Sequence, residues 1–308
     1  MSKRSEPSRG LPKDFSVAEK SCSLYEDIEY EQYWDDPAQA RQDALEKRLI
    51  SEMLPARGRR IIDVGCGYGR LAPVYIDRFD SVVLYDGSMS LLRHAREDIG
   101  ERAVLVAGDA MNLPFRAASF DTLLTIRVLQ HMTDLGGAIR EMRRVLPRGG
   151  SFVFSYHNKR NARRVLAYPK TRQTADPFSL ESAEVSPTLI SHHPTRVAAL
   201  LGDAGFTDAE YRGAVVVNGL AQLTEKFGRT EPSGLAWASF TGRHALAPWL
   251  VGRASAVGGG ELAPGDSVEA LFECPDCRGN VARSDESYRC GACGRSYPIV
   301  DGIADFRL

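Results

Sequence analysis

No uninterrupted apolar stretch in this 308-residue chain approaches the roughly 18 residues that a membrane-spanning helix needs. The opening Met1-Ser2-Lys3-Arg4-Ser5-Glu6 is polar and has no apolar core behind it, so no secretion signal is expected. Reduced thiols and a cytoplasmic setting are the expectation that follows. Neither sign of charge dominates: 39 Lys and Arg face 40 Asp and Glu, for a net −1. The whole chain therefore carries no general attraction toward nucleic acid. Internal repeats are missing. Cysteine is scarce, with six in all, and four of them fall in two close pairs near the end. What is present is 43% apolar and 26% charged residues, the balance of a soluble globular protein. The length suits one large α/β domain with a small appendage.

The densest signal lies at Asp63-Val64-Gly65-Cys66-Gly67-Tyr68-Gly69. Before it, Arg59-Arg60-Ile61-Ile62-Asp63-Val64 is a short, β-branched run of strand length. After it, Arg70-Leu71-Ala72-Pro73 opens a helix, with proline tolerated in the first turn. A strand must turn sharply into a helix, and glycines allow both positive φ and close approach of a ligand to the backbone. A dinucleotide site needs G-x-G-x-x-G, so that a pyrophosphate can rest on the helix N-terminus. Here the spacing is G-x-G-x-G, and Asp63 sits two residues before the first glycine. That acid suits a cationic ligand better than a pyrophosphate. Ser81-Val82-Val83-Leu84-Tyr85-Asp86 then reads as a second strand whose terminal carboxylate can accept both hydroxyls of a ribose. A plain glycine turn with a helix-capping Asp before Ser88 is the simpler alternative.

The pattern continues with strands at Ala103–Ala110, Phe120–Ile126 and Ser151–Tyr156, and a helix from Asp134 to Leu146. Strands alternating with helices predict a doubly wound, mostly parallel sheet with helices on both faces. Ligands of such sheets bind beyond the carboxyl ends of the strands, where Asp63, Asp86, Asp109 and the segment after Ile126 all fall.

Residues 55–157 resemble a class I S-adenosylmethionine-dependent methyltransferase of the broad type 11 group. The likeness rests on Ile62 to Gly69, Tyr85-Asp86-Gly87-Ser88, Gly108-Asp109-Ala110, Phe115 to Asp121, Arg127-Val128-Leu129-Gln130-His131 and Val145 to Gly150. His193 to Phe206 is similar to a late segment of that family. The resemblance implies a seven-stranded Rossmann-like sheet over residues 21–254 and S-adenosylmethionine as methyl donor. It implies that Gly65 and Gly67 approach the methionine part, with Cys66 and Gly69 in the same loop and Asp63 before it. Asp86 and Gly87 would meet the ribose, Asp109 and Ala110 the adenine, and Arg127 the methionine end.

Cys274-Pro275-Asp276-Cys277 and Cys290-Gly291-Ala292-Cys293 form two C-x-x-C pairs with 12 residues between them. Two such pairs can wrap one Zn²⁺ in four thiolates, a closed and structural site. Gly279 and Gly294 follow the pairs where a tight knuckle would need glycine. Disulfides and a transient redox pair are the alternatives. With Tyr297-Pro298-Ile299-Val300-Asp301-Gly302-Ile303, residues 271–308 resemble the zinc ribbon that activates tRNA and release-factor methyltransferases. A fused ribbon would make a separate activator subunit unnecessary.

Residues 1–20 are expected to be disordered. Tyr25, Tyr30, Tyr33 and Trp34 precede Asp36-Pro37, a cap pair for a helix carrying Ala40, Ala44, Leu45 and Leu49. Residues 255–270, with Gly258-Gly259-Gly260 and Pro264-Gly265, read as a flexible linker. Lys159, Arg160, Arg163, Arg164, Lys170 and Arg172 form a basic run that suits an acidic substrate, an RNA backbone or simply solvent.

The acceptor is read mainly from absences. The Asn/Asp-Pro-Pro-aromatic turn of nitrogen methylation is replaced by Arg127 to His131, and no Pro-Cys pair stands there either. His131 is the candidate general base, with Tyr156 and His157 as rivals. His192 and His193 are expected to cap the Pro194 helix. The expected function is methyl transfer to an O or C nucleophile of a small molecule. The alternatives are action on tRNA, rRNA or a translation protein through the ribbon, or a non-catalytic cofactor- or partner-binding protein.

Overall fold

The structure, a computed structural model, describes residues 37–171, 176–186, 189–207, 209–214 and 232–307. The 1–20 tail, Cys22, the aromatic cluster from Tyr25 to Trp34, Asp36 and Arg172 lie outside the described residues.

Five parallel strands form the centre: β1 (Gly58–Val64), β2 (Phe79–Asp86), β3 (Val104–Ala107), β4 (Thr122–Thr125) and β5 (Ser151–His157). Their order is β3-β2-β1-β4-β5. The order in which strands are added reverses between the parallel neighbours β1 and β4, which opens a crevice above their carboxyl ends. Two later strands, β8 (Glu210–Gly213) and β9 (Trp249–Ser255), extend the sheet beyond β5, with β9 antiparallel to β5 and β8 antiparallel to β9. A separate short hairpin joins β6 (Ala183–Ser186) to β7 (Leu189–Ser191).

Helices cover both faces, as the alternation predicts. On one face α1 (Pro37–Met53), α2 (Ala72–Tyr75) and α3 (Met89–Ile99) bury Leu49, Ile50, Tyr75, Leu92 and Ala95 against Ile61, Leu84 and Val153. On the other, α4 (Leu135–Arg144) and α6 (Pro194–Asp203) bury Ile139, Met142, Val197 and Leu201 against Ile62, Leu123 and Phe152. Among the described residues the remaining helices are α5 (Ala162–Thr171) and α7 (Pro232–Arg243). Caps set the helix starts. Ser88 Oγ accepts from Leu91 N, and Asp134 Oδ1 accepts from Gly137 N at 2.8 Å. His193 accepts from Thr195 N through Nδ1 ahead of Pro194. His192 does not cap that helix: it is buried, with Nε2 3.1 Å from Leu129 O and Nδ1 2.9 Å from Ser182 Oγ.

The C-terminal ribbon differs from the expected appendage. Its strands β10 (Val281–Arg283), β11 (Ser287–Cys290), β12 (Ser296–Val300) and β13 (Ile303–Asp305) continue the main sheet. β13 pairs parallel to β3, Ala304 beside Val106 and Asp305 beside Ala107. The seven expected methyltransferase strands are present in the order β3-β2-β1-β4-β5-β9-β8, and the four ribbon strands extend them to an eleven-stranded sheet among the described residues. Pairing satisfies the backbone groups that an edge strand would leave open. An aromatic seam follows it, with Phe272 centred 5.2 Å from Phe115, 5.0 Å from Tyr288 and 5.0 Å from Phe306.

Nor is the segment leading into the ribbon a loose tether. The buried Arg60 guanidinium donates to Ser119 O, Gly265 O and Ala263 O. Arg143 Nη2 donates to Val257 O at 2.7 Å and to Gly258 O at 2.8 Å. Glycine there lets the chain turn, with φ of 68° at Gly258 and 86° at Gly259, while distant arginines hold its carbonyls.

Candidate functional site

The glycine loop leaves β1 with φ of 78° at Gly65, 57° at Gly67 and 81° at Gly69. A Cβ at Gly65 would lie 2.1 Å from Val128 Cγ2, so that position must be bare. At Gly67 the same atom would meet only Leu91 Cδ1, at 3.9 Å, so the backbone faces open space. That space is a cavity walled by Asp63, Gly65, Cys66, Gly67, Asp86, Gly87, Asp109, Ala110, Arg127 and His131, among others. Ten of the residues singled out in the sequence therefore share one crevice. Gly69 does not join them: it turns the chain against Leu84, Ala95 and Ile99. Cys66 is buried, and burial first, then Asp86 and Asp63, pushes its thiol pKa up. A neutral thiol filling space is the chemistry this leaves it.

Asp86 ends β2 and is fixed by the loop it faces. Its Oδ2 accepts from Gly67 N at 2.8 Å and its Oδ1 from Ser88 N at 2.9 Å. A carboxylate has about four acceptor sites, so capacity for ribose hydroxyls remains. Burial raises its pKa, against the pull of those amides. Asp63 is deeper: Tyr75 Oη donates to its Oδ2 at 2.6 Å, and burial lifts its pKa from 3.8 to about 7. A cation in the cavity would favour its ionised form.

Asp109 Oδ1 accepts from Met111 N at 2.9 Å, an Asx-type turn after β3. Tyr85 Oη donates to Asp109 O at 2.9 Å. Gly108 is required beneath it, since a Cβ there would fall 2.2 Å from Tyr85 Oη. The loop is held from the far side by the ribbon. Asn112 Nδ2 donates to Pro275 O at 2.8 Å, and Arg278 Nη1 to Leu113 O at 2.8 Å. Arg144 and Arg278 share Glu141 and Glu273 in one ion-pair cluster behind that loop.

Arg127 has φ 62°, uncommon for a side-chain-bearing residue. Its amide donates to Ser155 Oγ at 2.8 Å, its carbonyl accepts from Gln130, and its guanidinium lies 4.8 Å from the Trp249 ring centroid. Arg127 Nε also reaches Glu46, at 3.1 Å and 3.2 Å. Glu46 is 1% exposed and takes Arg70 Nη2 at 2.7 Å as well. Sequence reading missed Glu46, although a signal existed. It falls in register with Leu49, Ile50 and Met53 on the buried stripe of α1, where a carboxylate must be paired.

His131 ends the short turn Leu129–His131 and reaches the cavity, with Nε2 3.0 Å from Gln130 Nε2. Its rivals are not in the cavity wall. Tyr156 is fully buried in the core below. His157 faces Trp249 at 5.1 Å between ring centres, and burial pushes its pKa down to about 4.

At the ribbon, Cys274, Cys277, Cys290 and Cys293 are free thiols whose sulfurs lie within 4.8 Å of one another. The Cys274–Cys293 and Cys277–Cys290 separations are 3.7 and 3.5 Å. A disulfide needs about 2.05 Å. Four thiolates about 2.3 Å from one zinc would stand about 3.8 Å apart, so the donor set fits a tetrahedral ion. Gly294 has the expected positive φ, 76°. In the first knuckle that conformation falls on Arg278, at 58°. Gly279 is needed for space instead, its Cβ position lying 3.1 Å from Cys290 Sγ and 3.3 Å from Cys277 Sγ.

Residues 62–154 match the family model described as "Methyltransferase domain". The 27-O-demethylrifamycin SV methyltransferase of Amycolatopsis mediterranei is 34% identical over 128 residues, 38% of this chain and 47% of that protein. The demethylmenaquinone methyltransferase of Roseiflexus castenholzii is 31% identical over 173 residues, 50% of this chain and 70% of that protein. Among solved structures, a chain from the complex between the Haloferax volcanii Trm112 methyltransferase activator and a methyltransferase superposes with TM-score 0.52. It is 17% identical, over 75% of this chain and 98% of that one, a likeness of fold alone. The chain spans about half the length of the first curated relatives it matches. With the glycine loop, the acids at the strand ends and this matched span in hand, the chain belongs to the class I S-adenosylmethionine-dependent methyltransferases.

Proposed function

We propose that this protein transfers a methyl group from S-adenosylmethionine to an O or C nucleophile of a small molecule. The observation that carries the reading is the single cavity in which Gly67, Asp86, Asp109 and His131 meet. In this reading the bare backbone at Gly67 would admit a ligand that a Cβ would crowd, Asp86 would accept from the ribose, and the Asp109-Ala110 turn at the cavity wall would meet the base. S-adenosylmethionine, when bound, supplies a methyl group already activated on a sulfonium. The protein's share is then largely orientation and exclusion of water. His131, at the cavity wall, would take a proton from a phenol, enol or acid acceptor. Curated relatives named as O-methyltransferases support the acceptor class.

The ribbon cysteines are read as a structural Zn²⁺ site, because four sulfurs leave no open coordination position for chemistry. Its ion would fix the first knuckle, whose Pro275 and Arg278 hold the loop behind Asp109, against the second.

Calorimetric binding of S-adenosylhomocysteine tests the cavity. Saturable one-to-one binding is expected, weakened at least about tenfold by Asp86→Ala, the worth of one or two charge-assisted hydrogen bonds. Undiminished binding by that variant would overturn the assignment.

A further inference from the structure

The opposite end of the sheet holds a second polar cleft. β1 runs seven residues between the two ends, roughly 20 Å at about 3.3 Å per residue, so this cleft is separate from the cofactor cavity. Strand register explains its composition. Ile61 pairs with Thr122, Thr122 with Ser151, Ser151 with Ser255, and Val153 with Arg253. Arg59 lies two residues before Ile61 and so shares its face. Deeper in the sheet this face is apolar, with Ile61, Leu124, Val153 and Val251 in the core under α1. At the strand ends it becomes a row of Arg59, Thr122, Ser151 and Arg253, with Arg57 on the loop after α1 completing the cleft.

Two observations point to an anion. First, Ser151 is 5% exposed and its Oγ has no hydrogen-bond partner, although it lines the cleft. A buried hydroxyl left so costs about 1–3 kcal/mol, which a ligand oxygen would relieve. Second, the balance of charge is positive. Of the two acids in the cleft, Asp121 is already occupied: its Oδ2 accepts from Arg59 N at 2.6 Å and Arg60 N at 3.0 Å, and its Oδ1 from Thr122 Oγ1 at 3.1 Å. Asp80 is the other, at the exposed rim. Among the described residues no ion pair or side-chain hydrogen bond engages the Arg57, Arg59 or Arg253 guanidinium. Guanidinium forks and a hydroxyl donor match the geometry of a tetrahedral oxyanion.

We propose that this cleft, at the amino ends of β1, β4 and β5, binds a phosphate group, as free phosphate or as the phosphoryl end of a small metabolite. The test titrates inorganic phosphate, and in a second arm glycerol 3-phosphate, into the full chain at constant ionic strength balanced with chloride. Saturable binding at millimolar concentration or tighter is expected in wild type. Arg253→Gln should weaken it at least about tenfold. Ser151→Ala should weaken it too, with a melting temperature equal to or above wild type, since an unsatisfied hydroxyl is lost. Tighter binding of the ester would mark a phosphorylated metabolite, and equal binding the free anion. No saturable binding, unchanged binding in both variants, or displacement of phosphate by S-adenosylhomocysteine would overturn the proposal. S-adenosylhomocysteine affinity itself should be unchanged by either substitution.

Discussion

At the scale of single residues, the proposed cofactor cavity depends on a few positions where the physics leaves little choice. Gly67 combines φ of 57° with a Cβ direction that opens into the cavity. Gly67→Val should keep the fold and abolish S-adenosylhomocysteine binding; retained binding measured by calorimetry would refute the cradle. Asp63 makes a pH prediction. Burial holds its pKa near 7 rather than 3.8, so the folded state resists ionising it. Its contribution to stability therefore falls as pH rises from about 4 to 7. A cationic ligand favours the carboxylate, so S-adenosylmethionine affinity should rise between about pH 6 and 8. Asp63→Asn should flatten that slope in calorimetric titrations. Glu46 is the third case. Truncation to Ala would leave Arg70 and Arg127 without their shared carboxylate, a loss of about 3 kcal/mol by analogy with broken buried pairs. Urea unfolding should show that loss, with Glu46→Gln recovering part of it because an amide oxygen still accepts one bond.

At the scale of elements, the glycine loop, the five parallel strands and the two C-x-x-C pairs were legible because each has a local chemical cause. Positive φ needs glycine, buried parallel strands need continuous apolar runs, and a thiolate cage needs its spacing. The union of ribbon and sheet was not legible. It rests on two short runs, Val106-Ala107 and Ala304-Asp305, far apart in sequence and unmarked by turn or period. The supposed linker misled for a related reason. Its glycines signal freedom, while the groups that remove it, Arg60 and Arg143, lie far upstream and read as ordinary charges. The clamp on the Asp109 loop gives a prediction at this scale. A strong chelator should lower the melting temperature and weaken S-adenosylhomocysteine binding severalfold without abolishing it. Arg278→Ala should weaken that binding with the metal still in place. Identical melting curves with and without chelator would contradict a structural zinc.

At the scale of the whole molecule, one continuous sheet joins the crevice proposed for the cofactor, above the carboxyl ends of β1 to β4, with a cysteine ribbon on its β3 edge. Overall charge near zero excludes little about the acceptor, and the crevice itself carries the reading: a general-base candidate, no proline-rich amine-binding turn and a cavity suited to one activated methyl donor. The most direct test is to incubate the protein with methyl-labelled S-adenosylmethionine and a host extract, then separate RNA, protein and organic-soluble fractions. Label in the organic-soluble fraction, lost in Gly67→Val and reduced in His131→Ala, is the predicted result. Label confined to RNA or protein would contradict the small-molecule account and make the ribbon a substrate-recognition surface.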